Sequence, residues 1–324
     1  MTNVHSKKYV CDVIIIGGGP AGLTAGIYSS RAKLESLLIE SAFNPSQVTI
    51  TDLIENYPGF PEGIQGPELL EKFKEQASKF GLDVIQKDIN LITRTSIGNL
   101  DGWKVETGDS SYLGLSIIMA TGTSLEKLGV TGETEFTGRG VSYCATCDAP
   151  FYKDRKVIVV GGGNTAIQEG IYLTKFAKEV FIIHRRDRLR ATGILQERAF
   201  SNKKINFIWD SVVEKISGNN VVSGALLKNI KTGQIQEIET DGVFIFVGYV
   251  PNSEPVKNMV ELDKDGSIIV DKDMKTSADG ILACGDCTNT SLRQVVTACG
   301  DGATAAYSAQ LYVEKLKGIS YNTD

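Results

Sequence analysis

The sequence has no surplus of basic residues and no long apolar run. Lys and Arg number 34 against 39 Asp and Glu, so the formal net charge is −5. This balance lacks the electrostatic footprint of a protein that binds nucleic acid or an anionic membrane surface. No stretch approaches the roughly 18 apolar residues that a membrane-spanning helix needs, and the first residues lack the apolar region and cleavage site of a secretory leader. We therefore expect a cytoplasmic protein whose partners are small molecules or another protein.

Cysteine and histidine are also scarce. The chain has six cysteines in 324 residues and only two histidines, His5 and His184. Six cysteines are too few for a disulfide scaffold, and in a reducing compartment a Cys-x-x-Cys pair indicates redox chemistry or metal binding. The composition, 42% hydrophobic and 23% charged residues, is that of a folded globular protein. The length allows two domains, each with its own core.

A first nucleotide-binding motif lies near the start of the chain. Residues 12–16 (Asp-Val-Ile-Ile-Ile) are typical of a central parallel strand, and a helix is predicted to follow at once. Glu40 ends the next predicted strand, residues 36–40, at the distance where a carboxylate bonds a ribose diol. Backbone amides of the turn between strand and helix can bind a pyrophosphate. The turn has the spacing Gly-x-Gly-x-x-Gly and contains Gly17, Gly19, Pro20, Ala21 and Gly22.

A second motif of similar design follows residues 156–160. Its turn contains Gly161, Gly163, Asn164, Thr165 and Ala166, and its second strand, residues 179–183, ends in His184, Arg185, Arg186 and, four residues on, Arg190. Bases replace the acid of the first motif, and arginines can pair bidentately with a 2′-phosphate, which predicts NADP rather than NAD. The alternative is a solvated arginine cluster at a helix start. It is disfavoured because cations there oppose the helix dipole.

Two further strand ends carry weaker nucleotide signals. Ala120, Thr121 and Gly122 follow residues 115–119, and Gly285 and Asp286 end the segment 279–286, where Asp286 can bond polyol hydroxyls. Residues 123–137 are predicted to cross between domains rather than to form part of a core, and residues 250–252 are predicted to be a second crossing. We therefore predict an α/β fold with two Rossmann-like three-layer nucleotide-binding domains, the second inserted into the first. The domains are residues 1–122 and 250–324, and residues 123–249.

The cysteines include two Cys-x-x-Cys pairs. Cys144 and Cys147 lie in a predicted irregular segment beside Asp148, and the thiolate pKa in such a turn can fall from ~8.5 to ~7, which favours a redox role. For Cys284 and Cys287, one zinc ion shared by both pairs and a second redox pair are alternatives. The favoured interpretation is that Cys11, Cys284, Cys287 and Cys299 are buried thiols that pack as small hydrophobes.

The sequence Cys-Ala-Thr-Cys-Asp at 144–148, ahead of Gly-Gly-Gly-Asn-Thr-Ala and His-Arg-Arg-Asp, resembles the low-molecular-weight thioredoxin reductases, and the resemblance covers about residues 10–316. It implies that NADPH binds at the second motif, including its three arginines. It implies that FAD binds at the first motif. Further FAD contacts are implied for Glu40, Gln47, Asn56, Ala120, Thr121, Gly122, Asp286, Arg293, Gln294 and Val295.

The resemblance also implies a reaction. NADPH reduces FAD, the flavin reduces the Cys144–Cys147 disulfide, and the dithiol reduces thioredoxin. Cys147 would face the flavin, Cys144 would attack the partner disulfide, and Asp148 would act as the acid–base group with a raised pKa. The family further implies a homodimer, and hinges near residues 123–125 and 248–252 about which the domains alternate.

The sequence departs from the family at two places. Pro45-Ser46-Gln47 stands where such reductases commonly have Gly-Gly-Gln, which predicts a stiffer loop beside the flavin, and Pro150 lies at the predicted thioredoxin-docking edge. The alternatives are the same fold reduced by ferredoxin or serving a peroxidase-linked carrier, and a redox sensor without turnover. The arginines argue against ferredoxin.

Overall fold

The computed structural model describes residues 9–42, 46–51 and 53–319. The chain forms two compact units, one made of Met1–Ser124 with Val250–Asp324 and the other of Leu125–Tyr249. The second unit is therefore inserted into the first. The sequence predicts domain boundaries after residues 122 and 249, and in the structure the unit boundaries lie after residues 124 and 249.

The first segment of the chain supplies most of one sheet and two of its helices. The elements are β1 (Tyr9–Ile16), α1 (Pro20–Arg31), β2 (Ser36–Glu40), α2 (Gly66–Lys79), β3 (Asp83–Gln86), β4 (Ile89–Ile97), β5 (Leu100–Thr107) and β6 (Ser111–Met119).

The inserted unit contains most of the remaining elements, and its first strand begins at the crossing from the first unit. They are β7 (Thr123–Leu125), α3 (Glu133–Phe136), β8 (Val141–Ser142), α4 (Ala145–Asp148), β9 (Lys156–Val160), α5 (Asn164–Leu173), β10 (Glu179–Ile183), α6 (Gly193–Ser201), β11 (Ile205–Ile208), β12 (Ser211–Gly218), β13 (Val222–Asn229), β14 (Ile235–Glu239) and β15 (Gly242–Ile245). The return crossing is β16 (Tyr249–Pro251), which pairs with β7, and β17 (Ile281–Ala283) and α7 (Val295–Lys317) complete the first unit.

The sheet of the first unit has the order β3-β2-β1-β6-β5-β4, and β17 also pairs with β6. Strands β1, β2, β3, β6 and β17 are mutually parallel, whereas β4 and β5 are antiparallel to their neighbours. Val13 and Ile15 pack on the face that carries α1, α2 and α7, and Ile14 packs on the other face. Burial on both faces explains the continuous apolar run of β1.

The inserted unit has a parallel sheet of order β11-β10-β9-β15-β8. Val157 and Val159 pack on the side of α5, and Ile158 packs on the side of the antiparallel sheet β12-β13-β14. The inserted unit therefore has three layers, and the predicted α/β class with two Rossmann-like units is confirmed.

Residues 123–137 are predicted to cross between domains rather than to belong to a core. The boundary between the units does fall in this segment, after Ser124, but the prediction that the segment lacks core residues is wrong. Phe136 is 2% exposed and packs with Val141 and Val213 in the core of the inserted unit. Glu133 is buried as well. The Gly-rich and Thr-rich composition concealed this because Phe136 is the one fully buried apolar side chain of the segment, while Leu128 and Val130 pack against the same core partly buried. Among the helices of the described ranges, none has the length and apolarity of a membrane span.

Helices α1 and α7 meet at small residues. A Cβ on Gly302 would overlap the backbone carbonyl oxygen of Ala21, and Ala298, Ala305 and Ala306 continue the small-residue face of α7. Gly302 therefore allows the backbones of the two helices to approach closely beside the first glycine turn.

We expect Gly302→Ala to lower the free energy of unfolding by about 1–3 kcal/mol, because the added methyl group overpacks this contact. Gly300→Ala on the same helix is the matched control, since its Cβ would meet no atom within 4 Å. That substitution should raise the free energy of unfolding by up to about 1 kcal/mol. Urea unfolding of both variants checks the pair, and equal effects would contradict the packing argument.

Candidate active site

The first glycine turn joins β1 to α1 by a very close backbone approach. Gly17 has φ +117° and donates its N–H to the carbonyl oxygen of Ile39 at 2.9 Å. A Cβ on Gly17 would overlap the carbonyl oxygen of Ala120, and a Cβ on Gly22 would overlap that of Gly17. At the N-cap, Gly19 supplies no side-chain cap to α1. The amino end of this helix is therefore open to an anionic ligand.

Glu40, at the end of β2, lies against this turn. A Cβ on Gly18 would overlap its carboxylate. Its Oε1 accepts hydrogen bonds from Lys74 Nζ at 3.4 Å and Gln86 Nε2 at 3.3 Å. The two donors fix the carboxylate at the place where the sequence predicts a ribose contact.

The segment Ala120, Thr121 and Gly122 extends β6 past the same edge of the sheet. Ala120 donates its N–H to the carbonyl oxygen of Ile16 at 2.8 Å. Thr121 Oγ1 donates to the carbonyl oxygen of Asn252 at 2.7 Å, and Asn252 Nδ2 donates to the carbonyl oxygen of Thr121 at 2.9 Å. These bonds anchor the strand end where the chain leaves the first unit.

The loop with Gln47 is tied to this segment. Gln47 Nε2 donates to the carbonyl oxygen of Thr123 at 2.8 Å and to its Oγ1 at 2.7 Å. Ser46 accepts the N–H of Val48 through its hydroxyl at 3.4 Å and caps a 3₁₀ turn, Gln47–Ile50. Pro45, the other residue of the predicted departure, lies outside the described residues, and a stiffer loop stays a prediction.

The end of β17 brings Gly285 and Asp286 to the site. Cys284 donates its N–H to the carbonyl oxygen of Met119 at 2.9 Å, and Gly285 has φ +73°. Burial raises the pKa of Asp286 to about 6, with Arg293 acting in the opposite direction. At neutral pH this carboxylate is mostly charged and can accept hydrogen bonds from hydroxyl groups.

Asp301 joins this cluster and was missed by the sequence analysis. Its Oδ2 accepts the N–H of Gly285 at 3.3 Å, and burial raises its pKa. An acidic residue between Gly300 and Gly302 was the available signal. The amino end of α7 is held by Gln294, whose N–H bonds Thr297 Oγ1 at 3.2 Å and whose Oε1 accepts from Asn56 Nδ2 at 2.7 Å.

The parallel strands of the first unit therefore gather the predicted residues around one edge of the sheet. Glycines fill the positions where a side chain would block the turn, and the helix end is uncapped. This arrangement fits the pyrophosphate and ribose groups of a dinucleotide such as FAD. The contacts above join Gly17, Gly22 and Ala120, place Glu40 against Gly18, and connect Gln47 to the segment that follows Thr121 and Gly122. Gly19, Pro20 and Ala21 follow Gly17 directly in the turn and the start of α1, and Gly285, which precedes Asp286, lies against Ala21. Asn56 bonds Gln294 at the start of α7, and Val295 is the first residue of that helix.

The second glycine turn repeats this geometry in the inserted unit. Gly161 has φ +143° and donates its N–H to the carbonyl oxygen of Ile183 at 3.0 Å. At Gly163, the N-cap of α5, a Cβ would meet no atom within 4 Å, so space is open in front of the helix. Asn164 Oδ1 accepts the N–H of Thr192 at 2.8 Å, and the hydroxyls of Thr165 and Tyr249 are 2.7 Å apart.

The arginines lie in an irregular segment before α6 begins at Gly193. The argument from the dipole of a helix start is therefore wrong, because these residues do not start a helix. Arg190 donates its N–H to the carbonyl oxygen of Gly162 at 2.7 Å, which attaches the segment to the glycine turn. The segment borders a cleft of about 300 Å³, lined by Arg185, Arg186, Asp187, Arg188, Leu189, Arg190, Asp210, Ile230 and Lys231.

His184 has a different place from the arginines that follow it. It is 4% exposed, and a Cβ on Gly162 would lie against its ring. Burial lowers the pKa of His184, and Arg190 lowers it further. The imidazole is therefore neutral at pH 7, and its position under Gly162 supports the turn.

The structure joins Cys144 and Cys147 in a disulfide bond. The predicted irregular segment is in fact one turn of helix, α4, in which Cys144 is the N-cap and its Sγ accepts the N–H of Cys147 at 3.1 Å. Ser142 Oγ accepts the N–H of Cys144 and donates to its carbonyl oxygen, both at 3.1 Å. Cys147 is exposed, and Asp148 is half-buried.

A second cleft, of about 370 Å³, is lined in part by Asp148, the residue that follows Cys147. Phe151 is 80% exposed at this cleft and Val221 is 59% exposed, an unusual degree for large apolar side chains. The lining includes Arg139, Asp148, Phe151, Tyr152, Arg155 and Val221.

The other four cysteines are free thiols. Cys11, Cys284 and Cys287 are at most 3% exposed, whereas Cys299 is half-buried and lies 3.9 Å from the hydroxyl of Tyr57. Burial raises the pKa of Cys284 and Cys287. Because Cys144 and Cys147 are bonded to each other, they are not thiolate ligands, and within the described ranges no group of three or more His, Cys, Asp or Glu is placed to hold a metal ion.

Comparison with known proteins places this arrangement in a family. Residues 11–302 match the family model described as pyridine nucleotide-disulphide oxidoreductase. The chain belongs to this family. It is 46% identical to a thioredoxin reductase of Peptoclostridium acidaminophilum, with 94% of this chain and 98% of the relative covered, and 46% identical to one of Bacillus subtilis, with 96% and 98% covered. A solved thioredoxin reductase of Lactococcus lactis, in the FR conformation, has a TM-score of 0.90 and 43% identity, covering 94% of this chain and all of that one. The predicted resemblance is confirmed.

The buried carboxylate of Glu133 bonds the residue that precedes the disulfide of this oxidoreductase. Glu133 accepts hydrogen bonds from the Tyr143 hydroxyl at 2.6 Å and from the N–H groups of Leu128 at 2.8 Å and Gly129 at 2.6 Å. Burial acts to raise the pKa of Glu133, but these donors outweigh it, and the pKa is lowered. Tyr143 directly precedes Cys144, so the charged Glu133 fixes the backbone that enters the disulfide.

We expect Glu133→Gln to lower the free energy of unfolding by about 1–3 kcal/mol at pH 7, because an amide accepts these bonds poorly and buries unpaired N–H groups. The carboxylate stabilises the fold above its unfolded pKa of 4.5, and this contribution is lost as the pH falls through the lower folded value. The variant should therefore lose stability less steeply below pH 4.5 than the parent protein. Urea unfolding at a series of pH values checks this, with Glu135→Gln, at an exposed position, as control. If the free energy of unfolding fell equally steeply below pH 4.5 in Glu133→Gln and in the parent protein, the prediction would be contradicted.

Proposed function

We propose that this chain is a thioredoxin reductase, in which electrons pass from NADPH through FAD to the Cys144–Cys147 disulfide and then to thioredoxin. The observation that carries the proposal is the disulfide itself, which lies in the same unit as an arginine-lined cleft. Similarity to thioredoxin reductases over 94% of the chain supports the choice of substrate.

FAD is assigned to the first unit, and NADPH to the inserted unit. When bound, FAD supplies a two-electron carrier between a nicotinamide and a disulfide. Glu40 would accept hydrogen bonds from a ribose, Asp286 from polyol hydroxyls, and the amides after Gly19 would hold the pyrophosphate. Arg293 is included by resemblance. For NADPH the proposed contacts are Gly161, Gly163, Asn164, Thr165, Ala166, Arg185, Arg186 and Arg190, with His184 as support beneath the turn.

The cysteines have separate proposed roles. Two-electron reduction opens the disulfide, and Asp148 delivers a proton to a released thiolate. The N–H of Cys147, 3.1 Å from Cys144 Sγ, would stabilise a thiolate at Cys144. This favours Cys144 as the nucleophile that attacks the thioredoxin disulfide. Cys147 then attacks the mixed disulfide, which re-forms the Cys144–Cys147 bond and releases reduced thioredoxin. Cys147 is also the residue proposed to face the flavin.

Thioredoxin is proposed to dock at the cleft that contains Asp148. Exposed Phe151 and Val221 offer apolar contact area next to Asp148 and the dithiol. We also propose a homodimer in the cytoplasm. A solution mass equal to that of one 35.0 kDa chain would contradict the dimer. The arginine cleft supports NADPH rather than ferredoxin as the electron donor.

Thiol counting tests the dithiol. Four of the six cysteines are free in the oxidised structure. Denatured protein should therefore titrate four thiols before anaerobic NADPH treatment and six afterwards. Cys144→Ser leaves five cysteines, none of them in this disulfide, so its count should be five in both states. NADPH should still bleach its bound flavin, while thioredoxin-coupled turnover should fall by at least about a hundredfold.

Cys299→Ala is the control for this experiment, since Cys299 is free and lies on α7. Its count should rise from three thiols to five, with turnover retained. A parent protein whose thiol count did not change on reduction would refute the proposed electron path.

Nucleotide preference tests the arginines. We expect Arg185→Ala to raise the KM for NADPH by about tenfold or more with little change for NADH, because a charged hydrogen bond to the 2′-phosphate is lost. Arg94→Ala is a suitable control, since Arg94 pairs with Asp101 at 3.1 Å and lines neither the arginine cleft nor the cleft that contains Asp148. Steady-state kinetics with both nucleotides measure the effect, and equal use of NADPH and NADH by the parent protein would contradict the assignment.

A further inference from the structure

The arginine cleft contains a cation from a distant part of the sequence. Lys231 lies on the turn between β13 and β14 and lines the cleft with residues 185–190. The turn is well fixed, because Asn229 Oδ1 accepts the N–H of Lys231 at 3.0 Å and of Thr232 at 2.9 Å. The backbone thus holds Lys231 at the rim of the cleft.

Asp210 joins this turn to the arginine segment. Its N–H donates to the carbonyl oxygen of Arg186 at 3.3 Å, and its own carbonyl oxygen accepts the N–H of Ile230 at 2.7 Å. Asp210 has φ +51°, in the left-handed region that Asp tolerates better than most residues. This backbone conformation favours Asp or Asn at residue 210, and Asp210 is the second carboxylate, besides Asp187, in a mainly basic cleft.

The charges in the cleft are paired unevenly. Four arginines and one lysine face two carboxylates, so the formal charge of the lining is 5 − 2 = +3. Lys231 Nζ lies 3.0 Å from Asp210 Oδ1 and 3.5 Å from Asp187 Oδ2. Within the described part of the chain, Arg185, Arg186, Arg188 and Arg190 form no ion pair with a carboxylate.

The ion pairs of Lys231 leave the arginines of the cleft free to bind an anionic ligand. Arginine binds carboxylates bidentately, so unpaired Asp187 and Asp210 would compete with a phosphate for the guanidinium groups. They would also repel the phosphate directly. Because Lys231 binds both carboxylates, all four guanidinium groups remain available.

We propose that Lys231 is a specificity-determining residue for the 2′-phosphate of NADPH, and that it acts by neutralising Asp187 and Asp210. It is a positioning residue, since it acts through the two carboxylates. The proposal rests on the assignment of NADPH to this cleft.

Binding of 2′,5′-ADP and of 5′-AMP, measured by calorimetry on the flavin-loaded protein, tests the proposal without turnover. The parent protein should bind 2′,5′-ADP more tightly than 5′-AMP. Lys231→Met should weaken 2′,5′-ADP binding by about three- to tenfold, as expected for one charge near the surface, and should leave 5′-AMP binding unchanged. Lys231→Arg should bind as the parent does, and the Lys231→Met effect should diminish as salt is added.

The triple variant D187N/D210N/K231M separates neutralisation from direct contact. In this variant the residues that line the arginine cleft carry a formal charge of +4, compared with +2 in Lys231→Met. Asn tolerates the left-handed conformation at residue 210 as Asp does. Binding of 2′,5′-ADP at least as tight as in the parent supports neutralisation. Binding as weak as in Lys231→Met overturns it. Thermal unfolding of each variant verifies that the fold is retained.

The outcomes distinguish this inference from the proposed function. If the parent protein binds both nucleotides equally, the NADPH assignment fails, and the role of Lys231 fails with it. If the parent discriminates and Lys231→Met binds 2′,5′-ADP as the parent does, only the role of Lys231 is overturned.

Discussion

In each unit a buried strand becomes a helix within three residues, and the backbone can make this turn only where side chains are absent. The carbonyl oxygens of Ala120 and Phe246 occupy the positions that a Cβ would take at Gly17 and Gly161. Both carbonyls belong to the ends of neighbouring strands, so each turn is held against the next strand of its sheet. The helix amino ends consequently open at the edge where all parallel strands finish. The openings of both candidate nucleotide sites depend on this approach.

The same turn lies beside side chains of opposite charge in the two units. The difference arises at the end of the second strand, where Glu40 stands in one unit and the arginines follow His184 in the other. In the first unit Lys74 and Gln86 hold the carboxylate in place. In the inserted unit the Arg190 N–H bonds Gly162, so the backbone rather than a side chain places the cationic segment. A single carboxylate needs side-chain partners for its orientation, whereas a group of guanidinium donors surrounds an anion from several directions.

Much of the fold could be predicted from the sequence because local patterns determine it. Strands at residues 36–40, 156–160 and 179–183 have the bounds that their apolar runs predict, and the glycine spacing indicates where each helix starts. The helical turn at Cys144 and Cys147 was not predictable in this way, because a sulfur N-cap and Ser142 stabilise it. The buried Glu133 was also missed, since its partners are the Tyr143 hydroxyl and two loop N–H groups. Lys231 left no local signal, because a turn with Asn, Lys, Thr and Gly is common on protein surfaces.

The charge of the arginine cleft shows why a motif alone underdetermines a binding site. Asp187 lies within the arginine segment itself, and the left-handed conformation at residue 210 favours an acidic or amide side chain there. Both carboxylates therefore have causes unrelated to phosphate binding, and each could occupy a guanidinium group. Whether the arginines are available depends on a cation that the β13–β14 turn places beside both acids. The charge that the cleft presents is thus a property of three chain segments joined through the backbone of Asp210.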